Sequence, residues 1–204
     1  MGKVGSGFSI SLDGFVAGPN DSPANPMGDG GMKLFEWYSS GDTVVEVPGG
    51  DKEFKLSPES AEVLEGITNS VGVLVYGRRT FDISGAWGGK HPLDVPMVIV
   101  THNVPQEWVK EGSPFTFVTG GVESAIEKAR EIAGDKMVVI GGASILKQCI
   151  KLGLVDEIHL DLVPVLLGSG GRLFDELGAT PIELESTSVS KATGVTHLDY
   201  RVVK

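Results

Sequence analysis

The chain has 204 residues, of which 41% are hydrophobic and 22% charged, a composition that suits one α/β domain with a real core and argues against disorder. Its formal charge of −10 repels polyanions, and no basic stripe offers a nucleic-acid surface. No apolar run approaches the roughly 18–20 residues of a membrane span, and a single cysteine, Cys149, excludes an intramolecular disulfide and points to a reducing, cytoplasmic compartment.

The segment Met1–Gly7 has no signal-peptide core; Met1-Gly2 with Ser6 has the form of a myristoylation start, but strand-like residues follow at once. Val4 to Leu12 reads as a strand that ends at the Asp13-Gly14 turn. Residues 18–31 are too rich in glycine, proline and asparagine for regular structure, and a loop this long in a compact domain reads as a lid over an active site. Residues 32–40, with Leu34, Phe35, Trp37 and Tyr38, predict a short helix, and a loop centred on Pro48-Gly49-Gly50 follows.

Ser57-Pro58-Glu59 predicts a helix start: a capping hydroxyl, a proline at the first helical position and an acid in the first turn. Strands are expected at 71–76, 96–101, 115–119, 137–140 and 158–167, with helices at 122–133 and from 143 to about Leu152. Segments 182–189 and 195–203 alternate as a terminal antiparallel hairpin does. Strands alternating with helices, then an antiparallel ending, predict one α/β domain with a mixed, mostly parallel sheet covered by helices on both faces. Cys149 falls on the apolar side of its helix with Ile145, Leu146 and Ile150 and is expected in the core.

Two segments carry chemistry, each a hydrophobic strand running into a glycine turn and a helix start. In 137–146 the strand Met137–Ile140 meets Gly141-Gly142, where the absence of Cβ lets a backbone approach a phosphate and the N–H groups of Ala143, Ser144 and Ile145 point outward. In 73–81 the turn holds Gly77, Arg78, Arg79 and Thr80, two guanidinium groups and a hydroxyl suited to a phosphomonoester. Thr101 and His102 end a third strand at the same kind of edge, where open α/β sheets bind ligands. The spacing matches neither the G-x-G-x-x-G fingerprint nor a P-loop. The histidines at 91, 102, 159 and 197 show no ligand spacing, so no metal site is expected.

Asp13-Gly14, Gly77-Arg78-Arg79-Thr80-Phe81, Gly141-Gly142-Ala143-Ser144, and Val155-Asp156-Glu157-Ile158 through Pro164–Gly168 occur in that order. The set resembles the dihydrofolate reductase-like superfamily, and specifically bacterial proteins related to the C-terminal reductase domain of the riboflavin-biosynthesis deaminase/reductase, over residues 3–203. The resemblance implies a three-layer dihydrofolate reductase-like fold that binds NADPH across the strand ends. Gly77, Arg78, Arg79 and Thr80 would hold the 2′-phosphate, and Thr101 and His102 would flank the adenine ribose. Gly141, Gly142, Ala143, Ser144 and Ile145 would bind the pyrophosphate, with Ala17 and Gly18 beside the nicotinamide.

The same resemblance implies a hydride transfer to a C=N or C=O bond of a pterin- or pyrimidine-like heterocycle, and a homodimer formed through the C-terminal hairpin. Proton donors are expected among Glu36 on the first helix, Asp161 kept protonated by burial on the 158–167 strand, and ordered water. Ile140 stands where riboflavin-type reductases carry an acid that contacts a sugar phosphate, which argues against a phosphorylated substrate. Trp37, Trp87 and Phe8 are possible stacking surfaces. A folate reductase proper, and a nucleotide binder without turnover, are the alternative readings.

Overall fold

The computed structural model describes residues 2–50 and 53–204; Met1, the start of the myristoylation-like segment, lies outside the described residues. In chain order the elements are β1 (Val4–Ser11), β2 (Phe15–Ala17), a 3-10 segment (Gly31–Ser39), β3 (Thr43–Glu46), β4 (Glu53–Leu56), α1 (Pro58–Ser70) and β5 (Val71–Gly77). Then come α2 (Arg78–Ile83), β6 (Met97–Val100), β7 (Phe115–Val118), α3 (Gly121–Ala133), β8 (Met137–Ile140) and α4 (Ala143–Lys151). The chain ends with β9 (Glu157–Val163), β10 (Gly171–Arg172), β11 (Leu184–Ala192) and β12 (Val195–Val202).

Eight strands form the central sheet in the order β11-β12-β9-β1-β8-β5-β6-β7. The pairs from β9 to β7 are parallel, and β12 and β11 add an antiparallel edge. The mixed, mostly parallel sheet expected from the alternation of elements is therefore present. Two small ribbons, β3-β4 and β2-β10, lie outside it.

Alternation along the strands assigns the two faces. Val73, Val75, Val138, Ile140 and Ile158 pack with Ala125, Ile126 and Ala129 of α3 and with Leu146, Cys149 and Ile150 of α4. The opposite parity, represented by Val163 and Val195, packs with Ala61 and Leu64 of α1, with Val45 and Leu56, and with Leu34 and Trp37. Burial pushes the Cys149 thiol up to about 12, as its core position requires.

The short helix expected at 32–40 is present as a 3-10 segment, entered through Gly30 at φ 75° and without a side-chain cap. Two other sequence expectations need correction. The expected strand over 158–167 stops at Val163, because Pro164 has no N–H to continue a ladder. Trp37 and Phe8 are packing residues rather than stacking platforms. Trp37 is buried against Tyr38 at 3.9 Å, and Phe8 joins the α3–α4 side of the core.

Candidate functional site

All six parallel strands deliver their carboxyl ends to one edge, and the two glycine turns meet there. Gly77 precedes α2, and Gly142 precedes α4 as its N-cap, at φ −122°, with no side-chain cap. A Cβ built on Gly142 would lie 3.5 Å from Thr80 Oγ1, and one on Gly77 would lie 3.3 Å from Ile145 Cγ1. The two motifs, about sixty residues apart in sequence, thus form one backbone-lined surface. The first intrahelical bond of α4 runs from Leu146 N to Gly142 O at 2.9 Å. It leaves the amides of Ala143, Ser144 and Ile145 ahead of the helical ladder, at the positive end of the helix. The Ile145 side chain itself is in the core, whereas Ser144 is exposed.

Gly141 has a different reason to be glycine. A Cβ there would sit 2.0 Å from Tyr76 Cε1, inside the ring, and Gly141 N donates to Val75 O at 3.0 Å. It lets the turn pass over the Tyr76 ring and so presents Gly142 to the edge.

Arg78 is held in place by two of its five N–H donors: Nε donates to Asp82 at 2.7 Å and Nη1 to Asn103 O at 2.8 Å. Asn103 O also accepts from the buried Thr101 hydroxyl at 2.8 Å, so the ends of β5 and β6 brace one guanidinium, while His102 is exposed beside them. Arg79 turns the other way. It is exposed, and Nη2 donates to Asp21 Oδ1 at 2.7 Å, tying the 18–31 loop to the start of α2. The two arginines therefore divide their tasks, one at the strand ends and one on the loop.

β1 pairs with β8 only over Val4–Ser6, while it pairs with β9 through Ser11. Beyond Ser6 the sheet parts, leaving a slot between the outer half of β1 and the Gly141-Gly142 turn. Ala17 ends β2 and Gly18 opens the 18–31 loop. A Cβ on Gly170 would strike Ala17 O at 2.0 Å, and one on Gly18 would strike Asp29 O at 1.9 Å, so the loop packs backbone to backbone here. Asp13 does structural work: its carboxylate accepts from Ser11 Oγ (2.5 Å), Leu167 N (3.1 Å) and Gly168 N (2.7 Å). Those bonds, the Ser11 hydroxyl foremost, hold its carboxyl below the usual range.

Neither expected side-chain proton donor stands as expected. Glu36 is solvent-exposed and paired with Lys33 at 2.7 Å. Asp161 is buried but not protonated. Burial pushes its carboxyl upward, yet hydrogen bonds and charge from His159 (2.9 Å) and His197 (2.7 Å), both to Oδ1, outweigh it and bring it below the usual range. His159 sits between Asp161 and Asp199 (2.7 Å). Burial there opposes a charge, but the two carboxylates win and raise its pKa to about 9. Two of the four histidines that show no ligand spacing, His159 and His197, are thus joined in a chain Asp199–His159–Asp161–His197–Ser60, the last contact at 2.9 Å. The only hint in sequence was His159 and Asp161 two apart on a strand; His197 is brought in by strand pairing.

A cavity of about 390 Å³ lies under α1, away from the strand-end edge, bounded by Gly7, Val63, Gly66, Val139, His159 and Asp199. Among the described residues no helix is long and apolar enough to cross a membrane.

The fold is of the dihydrofolate reductase-like α/β type. The chain belongs to the RibD C-terminal domain family, which it matches over residues 3–198. It is 27% identical over 114 residues to the protein YyaP of Bacillus subtilis, a match covering 52% of this chain and 61% of that one. It is 26% identical over 119 residues to YwjB of the same organism, covering 58% and 67% respectively.

Among solved structures it is similar in fold to a putative riboflavin biosynthesis protein from Shewanella, with TM-score 0.69, 21% identity and 100% of both chains covered. It also resembles the riboflavin biosynthesis reductase Rib7 of Saccharomyces, with TM-score 0.61, 14% identity, and 99% and 90% coverage. Dihydrofolate reductase from Enterococcus faecalis, solved in complex with NADP(H), matches with TM-score 0.54, 13% identity, and 99% and 97% coverage.

Proposed function

We propose that this protein is an NADPH-dependent reductase acting on a small planar heterocycle of pterin or pyrimidine type. The observation that carries the reading is the meeting of the two glycine turns beside a positioned guanidinium. Gly142 leaves the space a phosphate needs, and the α4 amides and the Thr80 hydroxyl face that space. Arg78 keeps three donors for a 2′-phosphate, on a molecule whose net charge of −10 otherwise repels anions. Thr101 and His102 border the ribose end, and Ala17 and Gly18 the slot between β1 and β8. The bound dinucleotide would supply the hydride. The protein's part is to orient it, to cover the slot with the 18–31 loop latched by Arg79 and Asp21, and to admit a proton. With Glu36 on the surface and Asp161 ionised, the proton comes from water in the slot.

A folate reductase of the resembling type would fix its pteridine with a carboxylate on the first helix, and Glu36 gives that reading no support. A specific feature favours nucleotide binding without turnover: the sheet face beside Ser9 is filled by Trp37, whose Nε1 donates to Ser9 Oγ at 3.2 Å. The same proposal includes a cytoplasmic location and a homodimer paired through β11 and β12.

Calorimetric titration of NADPH tests the site. Wild-type chain should bind one equivalent, Arg78→Ala should weaken NADPH about 10- to 100-fold, the worth of charge-assisted bonds, and NADH should change little. Absence of NADPH binding, or an unchanged affinity in Arg78→Ala, sinks the proposal. Oxidation of bound NADPH by a panel of pterins, folates and aminopyrimidines, followed at the reduced-nicotinamide absorbance band, then separates reductase from binder.

A further inference from the structure

β9 and β12 are antiparallel, and their register sets His197 directly opposite Asp161. His159 lies two residues before Asp161, so it leaves the sheet on the same face. Strand geometry alone brings two imidazoles and a carboxylate together. His159 Nε2 and His197 Nδ1 both point at Asp161 Oδ1, and one ligand atom from each residue lies within 4.8 Å of the others.

We propose that His159, Asp161 and His197 form a binding site for one divalent transition-metal ion of the zinc class. Imidazole nitrogens and a carboxylate oxygen are the donors that a borderline-soft ion such as zinc takes, and three protein ligands leave a fourth position open. The outer nitrogens are already held: His159 Nδ1 contacts Asp199 Oδ1 at 2.7 Å, and His197 Nε2 contacts Ser60 Oγ at 2.9 Å. Partners of this kind fix ring orientation and strengthen the ligand in metal sites.

Ligand atoms at zinc distances of about 2.0–2.1 Å stand roughly 3.3 Å apart in a tetrahedron, so an ion spreads the present contacts by about half an ångström. A route inward exists, because His159 and Asp199 line the cavity under α1 and the Asp199 side chain is 43% exposed. The ion takes the place of the proton between His159 Nε2 and Asp161. With the ion on Nδ1, the His197 ring donates from Nε2 to Ser60 Oγ, and any proton carried by a nitrogen that takes the ion leaves to solvent. The site does not rest on the reductase reading.

Titration of zinc chloride into the metal-stripped 204-residue chain tests it. One equivalent should bind per chain. Asp199→Asn, at a partly exposed position, should weaken binding about 10- to 100-fold. His159→Gln should abolish it while far-UV circular dichroism and the thermal transition show a folded protein. Absence of saturable binding at one per chain overturns the proposal, and so does equal binding by wild type, Asp199→Asn and His159→Gln.

Discussion

At the scale of single residues, two adjacent glycines answer to different demands. Gly141→Ala places a methyl inside the Tyr76 ring, which is itself packed on Trp87 with centroids 4.6 Å apart and cannot swing clear. It should destabilise the fold by about 1–3 kcal/mol, measured by urea unfolding. Gly142→Ala meets Thr80 Oγ1, Gly77 N and Ile145 Cγ1 at ordinary contact distances of 3.5, 3.7 and 3.9 Å and should fold normally, yet its methyl occupies the place proposed for the phosphate, so NADPH affinity should drop about tenfold or more. In sequence the pair reads as one motif; only the position of Tyr76 separates them.

His159 provides a pH dependence. Its folded pKa of about 9 lies above the ordinary value of 6.5, so its contribution is complete at and below the ordinary value and fades as pH rises through 9. Metal-stripped wild type should therefore lose on the order of 3 kcal/mol across that window, and His159→Gln should show no such loss.

At the scale of elements, α1 was legible because its signals are local. Ser57 Oγ accepts from Ser60 N at 3.4 Å, Pro58 opens the helix and Glu59 follows. Ser57→Ala should cost about 0.5–1 kcal/mol in denaturant unfolding, the low end of the capping range because the bond is long. β5, β8, α3 and α4 were legible for the same reason, as apolar runs bounded by glycine. The β3-β4 ribbon was missed although Glu53-Phe54-Lys55-Leu56 alternates, since each strand has four residues and lies beside a glycine-rich turn. The 3-10 segment carries a helical apolar pattern, but Gly30-Gly31 offers no cap and Trp37 is drawn down to Ser9, and packing decides its form.

At the scale of the whole molecule, β11 is an outer strand exposed along most of its length, with Val189 64% and Leu184 42% exposed. An unpaired edge carrying apolar side chains seeks a partner. Light scattering should report twice the chain mass for wild type and the single mass for Val189→Lys. A wild type that stays single at high concentration would remove the second copy from the proposal.

What the sequence by itself determined is the set of local instructions: strands running into side-chain-free turns, helix caps, the arginine pair and the acidic balance. These follow from periodicity and backbone chemistry within a few residues, and they were enough for the fold class and for the two glycine turns that end neighbouring strands. Tertiary structure alone decided which charges meet. Asp161 was expected to be a protonated acid because burial raises a carboxyl, and it is ionised because β12 sets His197 opposite it and β9 sets His159 beside it. Electrostatic energy depends on distances of a few ångströms between residues far apart in the chain, and only the pairing of strands sets those distances.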